Sequence, residues 1–283
     1  MLARHVALVA EGSRITMREL SAVAAALQKQ ATRDLGPLWK VQATVTAFET
    51  LNDLPLDYWP VVIMDDIKDP QAAGYHEDKN GQPFALVQYD TGWTLTASHE
   101  TLEMLIDPFG RRLVAGGSPV KGQGRVRFLV EVCDPSEAAE YAYRINGVTV
   151  SDFYTPHYFE PHKATGVRYS FTESITQPKQ VLRGGYLSWH DSETRSWWQR
   201  SWFGTKPVDQ EIKDLKVSNG NLREALDRYR ELDRAKAMRR GEKPAGAMKR
   251  VAARGPRTVA DMVQAPGRAA MLRATIKSVT ARR

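Results

Sequence analysis

The chain has 283 residues, a net charge of +7 and 42% hydrophobic residues, a composition that fits a globular protein and not a disordered one. Cys133 is its one cysteine, so an internal disulfide is excluded and a reducing compartment is favoured. Neither a run of about 18 apolar residues nor a secretory cleavage pattern is present, so we expect a cytoplasmic protein without a membrane span, with signal-independent export left open.

The N-terminal part alternates between short apolar segments and two helical patterns. Apolar residues at positions 20, 23, 24 and 27 have helical spacing and predict a long helix that ends at Gly36 and Pro37. Apolar and polar residues alternate in VQATVTAF, which predicts a half-buried strand. The predicted strands are residues 5–9, 41–48, 60–64 and 81–90, and the predicted helices are residues 15–34 and 94–107.

The second predicted helix carries SHETLEMLIDP, which begins with a residue pair typical of zinc hydrolases. His99 and Glu103 are four residues apart, so their side chains share one helix face and can hold one metal ion. Glu100 follows His99, as in H-E-x-x-H motifs, and is the predicted base for a metal-bound water. Glu103 replaces the second histidine. A carboxylate also binds zinc but is a harder ligand, so another divalent ion is an alternative.

A hydrolytic zinc site needs a third protein ligand, for which two aspartates are candidates. Asp134 follows an apolar strand in EVCDP, where a loop can present its carboxylate. Asp107 lies one turn further along the motif helix, next to a proline that ends it. We rank Asp134 above Asp107, with Glu131 and Asp152 behind them.

The same helix also has an interpretation that needs no metal. One face of an amphipathic helix can be polar only because it is solvated, while the other packs on the core. The solvated residues would then be His99, Glu100, Glu103 and Asp107, and the buried ones Leu102, Leu105 and Ile106.

Two resemblances add to these patterns. The order strand, helix, three strands, motif helix resembles the upper half of zincin metallopeptidases, where the strand before the motif helix is a sheet edge that pairs with substrate. Here that strand would be residues 84–89. The blocks SHETLEMLIDPFG, LVEVCDPSE, INGVTVSDFYTPHYF and GGYLSW together resemble a family of bacterial and phage-encoded proteins, from the N-terminus to about Phe203. The resemblance implies a zincin-like domain with the His-Glu motif as its metal site, and it gives no substrate.

The chain after the motif helix is predicted to be rich in strands and then to become helical and basic. A strand is predicted over residues 126–132, and a hairpin over residues 184–199, where alternating aromatic residues flank a polar turn. Residues 236–283 carry 13 Lys and Arg but two acidic residues, a charge of +11, whereas residues 1–235 carry 27 and 31, a charge of −4. Such a tail suits an anionic surface, non-specific nucleic acid or docking to a larger protein assembly.

Taken together, these patterns predict an α+β protein. Residues 1–215 would form a zincin-like domain, with a mixed sheet, a long helix, an active-site helix and a β-rich C-terminal part. Residues 216–283 would form a helical, basic tail. The predicted function is a zinc-dependent metallopeptidase that acts on a peptide or protein substrate. The alternatives are a catalytically inactive zincin-like module in an assembly, cargo or phage-injection system, and a nucleic-acid-binding protein.

Overall fold

The computed structural model describes residues 3–69, 72–213, 215, 217, 222–239, 270, 273, 274, 276–278 and 280. These residues form a mixed α+β structure, so the predicted class is confirmed. The contacts divide the chain into two compact units. Unit 1 comprises Met1–Pro108, Arg144–Val150 and Met248–Arg283, and unit 2 comprises Phe109–Tyr143 and Ser151–Ala247. The domain boundary at residue 215 stays a prediction.

The elements are as follows in chain order. The first half contains β1 (Arg4–Glu11), α1 (Met17–Lys29), α2 (Gly36–Trp39), β2 (Ala43–Phe48), β3 (Tyr58–Met64), β4 (Gly74–Lys79), β5 (Gln82–Gln88) and α3 (Trp93–Ile106). The second half contains β6 (Leu113–Gly117), β7 (Arg125–Leu129), β8 (Tyr143–Ile145), β9 (Val148–Val150), β10 (Tyr186–Asp191), β11 (Ser196–Ser201), β12 (Val208–Ile212) and α4 (Leu222–Arg239).

Unit 1 is built on a five-stranded mixed sheet in the order β2-β1-β3-β5-β4. The first four strands are parallel, and β4 pairs antiparallel with β5 at the end of the sheet. The middle of β1 (residues 6–9) is apolar and buried throughout, as expected for a parallel strand that is covered on both faces. The sheet therefore has a buried centre and a more polar edge at β4.

The two faces of this sheet pack against different parts of unit 1. Neighbouring residues of a strand point to opposite faces, so Tyr75 and His76 on β4 lie on opposite sides. Tyr75 belongs to an apolar cluster with Phe84, Leu86 and Ile276 from the C-terminal segment. His76 lies on the other face and contacts α3. His76 is thus the residue of this pair that faces the motif helix.

Two predictions for this sheet are wrong. Residues 84–89 were expected to form the edge, but β5 lies between β3 and β4, and the edge strand is β4. The predicted pattern lacked β4 because Glu77, Asp78 and Lys79 give it a polar sequence, which an edge strand tolerates. A two-residue turn joins β4 to β5, with Asn80 at φ 54° and Gly81 at φ 79°, as a type I′ hairpin requires.

The long helix departs from the prediction at its C-terminal end. It was expected to stop at Gly36 and Pro37, but helical backbone continues to Trp39 and ends at Lys40, which has φ 55°. Pro37 has no N–H to donate to the preceding turn, and the helix is widened into a π-helical segment, Gln30–Leu35, just before it. This segment places Gln30 against α3.

Unit 2 contains an antiparallel sheet in the order β12-β11-β10-β7-β6. The predicted hairpin is confirmed as β10 and β11, in which Trp189 and Trp198 lie opposite each other and stack. The strand predicted over residues 126–132 ends at Leu129. Helix α4 packs Leu226 against Leu129 and Ile212 of this sheet.

Most of the predicted basic tail, including residues 240–269, lies outside the described residues. Of its last residues, Ile276 is buried in unit 1, and Arg273 forms an ion pair with Glu11 at 3.1 Å. Within the described part of the chain, every helix falls short of the length or the apolar content that crossing a bilayer requires.

Candidate metal site on helix α3

Helix α3 brings the two predicted metal ligands together. The Nε2 atom of His99 lies 3.3 Å from Oε2 of Glu103, one helical turn away. The side chain of Glu103 is completely buried and that of His99 is 12% exposed. Glu100 and Asp107 are buried as well. The interpretation of this face as solvated is therefore wrong, since three carboxylates on it are removed from water.

A residue that the sequence did not single out completes this arrangement. His76 lies outside every predicted strand and helix, and it is buried within β4. Its Nδ1 lies 3.3 Å from Oε2 of Glu100 and 3.9 Å from Oε2 of Glu103. The donor atoms of these three residues all lie within 4.8 Å of one another, so they form a group that could hold a metal ion.

The other ring nitrogen of His76 has a partner that fixes its protonation. Nε2 lies 3.0 Å from the backbone carbonyl oxygen of Asp107. A carbonyl oxygen can only accept a hydrogen bond, so Nε2 carries the proton and donates it. Nδ1 is then the atom that His76 presents to the two glutamates. This use of one nitrogen to orient the other is common in metal sites and in catalytic pairs.

A glycine lets β4 approach α3 closely enough for these contacts. Gly74 lies two residues before His76 and therefore on the same face of the strand. A Cβ atom added there would lie 2.5 Å from Cγ2 of Thr96, 2.9 Å from the carbonyl oxygen of Leu86 and 3.4 Å from Cγ of Glu100. A side chain at this position would therefore separate the strand from the helix next to Glu100.

Two polar contacts fix α3 on its other sides. The hydroxyl of Ser98, next to His99, donates to Oε1 of Gln30 at 2.7 Å, and both side chains are buried. The hydroxyl of Thr94, in the first turn, donates to the carbonyl of Thr149 on β9 at 3.1 Å. The N-cap of the helix is Gly92, so neither hydroxyl caps it. Both hydroxyls instead tie the helix to neighbouring elements.

No family model, curated protein or solved structure matches the chain.

The spacing of His99 and Glu103 fits a zinc ion. Bonds of about 2.0–2.1 Å to a tetrahedral zinc place neighbouring ligand atoms about 3.3–3.4 Å apart. The observed separation of 3.3 Å between Nε2 and Oε2 agrees with that value. Imidazole and carboxylate are also a donor set that zinc accepts.

The two candidates for the third ligand, Asp107 and Asp134, lie in different units. Asp107 ends α3, and its backbone carbonyl binds His76; among the described residues, its carboxylate is in none of the groups that could hold a metal. Asp134 lies in unit 2, in a short helical turn, Asp134–Ser136. Burial raises the pKa of Tyr158 and Tyr186 well above its usual value, and the charge of Asp134 adds to both shifts. Asp134 as the third ligand stays a prediction from the sequence.

The two lower-ranked carboxylates have structural partners within unit 2. Glu131 forms a buried ion pair with Arg223 of α4, with 2.7 Å between its Oε2 and Nε. Asp152 accepts a hydrogen bond from the backbone N–H of Thr172 at 2.9 Å. Burial raises the pKa of Asp152, and hydrogen bonds with Thr172, Ser170 and the backbone of Phe153 partly offset this rise. Both residues thus have clear roles in holding unit 2 together.

The sequence did contain a signal for His76. Asn80-Gly81 is a strong hairpin signal when strand-forming segments flank it on both sides. Applying it in both directions would place residues 74–79 opposite residues 82–87. His76 and Gly74 would then share a face of an edge strand next to the motif helix. The strand was not predicted because Glu77, Asp78 and Lys79 break the alternation of apolar and polar residues.

Proposed function

We propose that this protein is a zinc-dependent, zincin-like metallopeptidase whose site is centred on α3. The observation that carries the proposal is the 3.3 Å separation of His99 Nε2 and Glu103 Oε2 beside the buried carboxylate of Glu100. His99 and Glu103 would hold the metal ion, and Glu100 would accept the proton of the attacking water. Zinc, when bound, lowers the pKa of its water and polarises the peptide carbonyl.

The topology of unit 1 supports the proposal. The antiparallel edge strand β4 leads through a tight turn into β5, which is followed directly by the motif helix. This order places an edge strand and the His-Glu motif side by side, although the edge strand is β4 and not the strand directly before the helix. The helix face that carries the motif meets β4 at His76 and Gly74.

The pairing of β4 with β5 indicates how an extended peptide would bind. The backbone N–H of Gln88 donates to the carbonyl of Ala73 at 2.7 Å, which marks this pair as hydrogen-bonded. Bonded and non-bonded pairs alternate along an antiparallel ladder. The backbone groups of Gly74, His76 and Asp78 are therefore directed away from β5. A peptide strand can add to this edge beside Glu100, with its main chain bound and its alternate side chains exposed.

Charge separates this site from a zincin site with two histidines. Glu103 in place of a histidine adds one negative charge to the ligand set and reduces the Lewis acidity of a bound zinc ion. A histidine in its place would be neutral as a ligand. We therefore expect slower turnover from this ligand set than from an H-E-x-x-H site, with metal binding retained.

The first experiment measures metal content and hydrolysis together. Elemental analysis of the purified protein should find about one zinc per chain, and a peptide library should be cleaved. Glu100→Gln should keep the zinc and lose hydrolysis by at least about 100-fold, because the water loses its base. His99→Ala should lose both. Glu193→Gln, in the exposed turn after β10, is the matched control and should change neither.

Two results would contradict the proposal. Full turnover in Glu100→Gln would remove the proposed base. A wild-type protein without stoichiometric metal, without hydrolysis and without thermal stabilisation by added zinc would remove the site, and would favour the inactive assembly module instead.

A further inference from the structure

His76 occupies a position from which it can control the carboxylate of Glu100. We propose that His76 is a positioning residue that holds the carboxylate of Glu100, through its Oε2, in the orientation in which it acts as the base. The inference rests on the proposed function, because it assigns a role towards the base of that reaction. It adds a residue from β4, 24 positions before Glu100, to a site otherwise formed by α3.

Hydrogen bonds at both ring nitrogens orient His76 towards Glu100. The carbonyl of Asp107 accepts from Nε2 of His76 at 3.0 Å, so Nε2 holds a proton. Nδ1 faces Oε2 of Glu100 at 3.3 Å. A hydrogen bond between these two atoms needs one proton on the line that joins them. Glu100 can accept the proton of the attacking water only as a carboxylate, so the proposed role has Nδ1 as the donor of this hydrogen bond and Oε2 as its acceptor.

The surroundings of the His76 imidazole hold the ring in one orientation. His76 lies in a strand that pairs with β5, opposite Ala85, and the ring is completely buried. Its Nε2 is tied to the end of α3, and its Nδ1 to the middle of the same helix. A ring held at both nitrogens cannot turn without breaking one of these contacts. A base oriented by a third group in this way is a recurring catalytic arrangement.

The distances and the burial of His76 favour this role over metal ligation. His76 Nδ1 lies 3.3 Å from Glu100 but 3.9 Å from Glu103, which is the proposed metal ligand. His76 is also more deeply buried than His99, whose side chain is 12% exposed. A hydrolytic metal must keep a position open to water and substrate. His99 satisfies this condition better, and His76 is better placed to act through Glu100.

Two substitutions of His76 test the role because each retains one of its nitrogens in a different position. The amide of His76→Asn takes the place of Nδ1 next to Glu100, whereas the amide of His76→Gln takes the place of Nε2 next to Asp107. His76→Gln should lower kcat by about 10–100-fold, the usual effect of losing such a partner, with KM and zinc content unchanged. His76→Asn should lower kcat less.

His5→Gln is the matched control. His5 lies on β1 of the same sheet, where its Nδ1 bonds the hydroxyl of Thr44 at 2.7 Å, and it stacks on Tyr58. This variant should show how much stability a His→Gln substitution costs in this sheet, and its kcat should equal that of the wild type. Equal kcat in His76→Gln, His5→Gln and wild type, per folded molecule, would overturn the proposal. Loss of zinc in both His76 variants would show that His76 is a ligand and would overturn it too.

A measurement without substrate checks the hydrogen-bond pattern directly. Long-range proton–nitrogen NMR of the imidazoles should find one proton on Nε2 of His76 and a second proton shared between Nδ1 and Glu100, and Glu100→Gln should shift the Nδ1 resonance. A proton on Nδ1 alone would overturn the proposal, even in an active enzyme. A wild-type protein with neither zinc nor turnover would instead overturn the proposed function, and the role of His76 with it.

Discussion

Gly74 on β4 lies so close to α3 that a Cβ atom added to it would be 2.5 Å from Cγ2 of Thr96. The backbone at Gly74 does not have a positive φ, so the glycine is needed for space and not for conformation. The same approach brings His76 to Glu100. The distance between strand and helix is therefore a property on which the site depends.

Gly74→Ala should test this dependence. The added methyl group has backbone on one side and a helix on the other, and overpacking of this kind costs about 1–3 kcal/mol. Urea unfolding should show the loss, and Thr96→Ser should recover part of it by removing Cγ2. Gly117→Ala is the control, because a Cβ atom there meets nothing within 4 Å. An unchanged midpoint in Gly74→Ala would mean that β4 moves away from the helix freely.

The contact between Ser98 and Gln30 should contribute measurably to stability. The Ser98 hydroxyl donates to Oε1 of Gln30 at 2.7 Å in a buried place, and a buried hydrogen bond is worth about 1 kcal/mol net. Ser98→Ala should cost about that amount in urea unfolding. A double-mutant cycle with Gln30→Leu should give a coupling energy of similar size. Ser21→Ala, on the exposed face of α1, should change stability by less than about 0.5 kcal/mol.

Zinc should stabilise the folded protein. A ligand that binds only the folded state adds about 2.7 kcal/mol when its free concentration is roughly 100 times its Kd. The midpoint temperature of thermal unfolding should therefore rise when zinc is added and fall again when a chelator removes it. His99→Ala should remove the effect, whereas His162→Ala, on an exposed loop, should keep it. A shift that survives in His99→Ala would place the responsible site elsewhere.

The pH dependence of stability should contain a contribution from Asp152. Burial raises the pKa of its carboxyl in the folded state, so the folded protein holds this proton more tightly than the unfolded chain does. The contribution to stability is present in acid and is lost as the pH rises through the raised pKa. Asp152→Asn cannot ionise, so it should be more stable than wild type at neutral pH, and the difference should shrink in acid. Urea unfolding at several pH values measures both. An advantage for the variant that grows in acid would contradict the sign.

Local patterns in the sequence predicted much of unit 1. Apolar periodicity placed β1, β2, β3, β5 and both long helices close to their observed positions. The spacing of His99 and Glu103 also predicted their contact, because four residues make about one helical turn, and the structure brings the two side chains together. These features depend on residues that are near each other in the chain.

Features that depend on distant residues were not predicted. His76 meets Glu100 only because β4 pairs with β5 in one register and because Gly74 fits against Thr96. The burial of Glu100 and Glu103 likewise depends on what packs against α3, and no local pattern records that. The edge of the sheet was assigned to β5 because β4 has the polar sequence of an exposed segment. An apolar pattern identifies centres of sheets better than their edges.

The C-terminal segment should be held on unit 1 by apolar packing more than by charge. Ile276 is buried in the cluster that contains Tyr75, whereas the ion pair of Arg273 with Glu11 is partly exposed, at 42% and 27% of the side chains. Exposed ion pairs contribute about 0–1 kcal/mol, and truncating a buried isoleucine costs about 2 kcal/mol or more. Ile276→Ala should therefore lower the unfolding midpoint in urea more than Arg273→Ala does, and high salt should weaken only the contribution of Arg273. The opposite ranking of the two variants would show that the basic residues, and not the apolar face, anchor this segment.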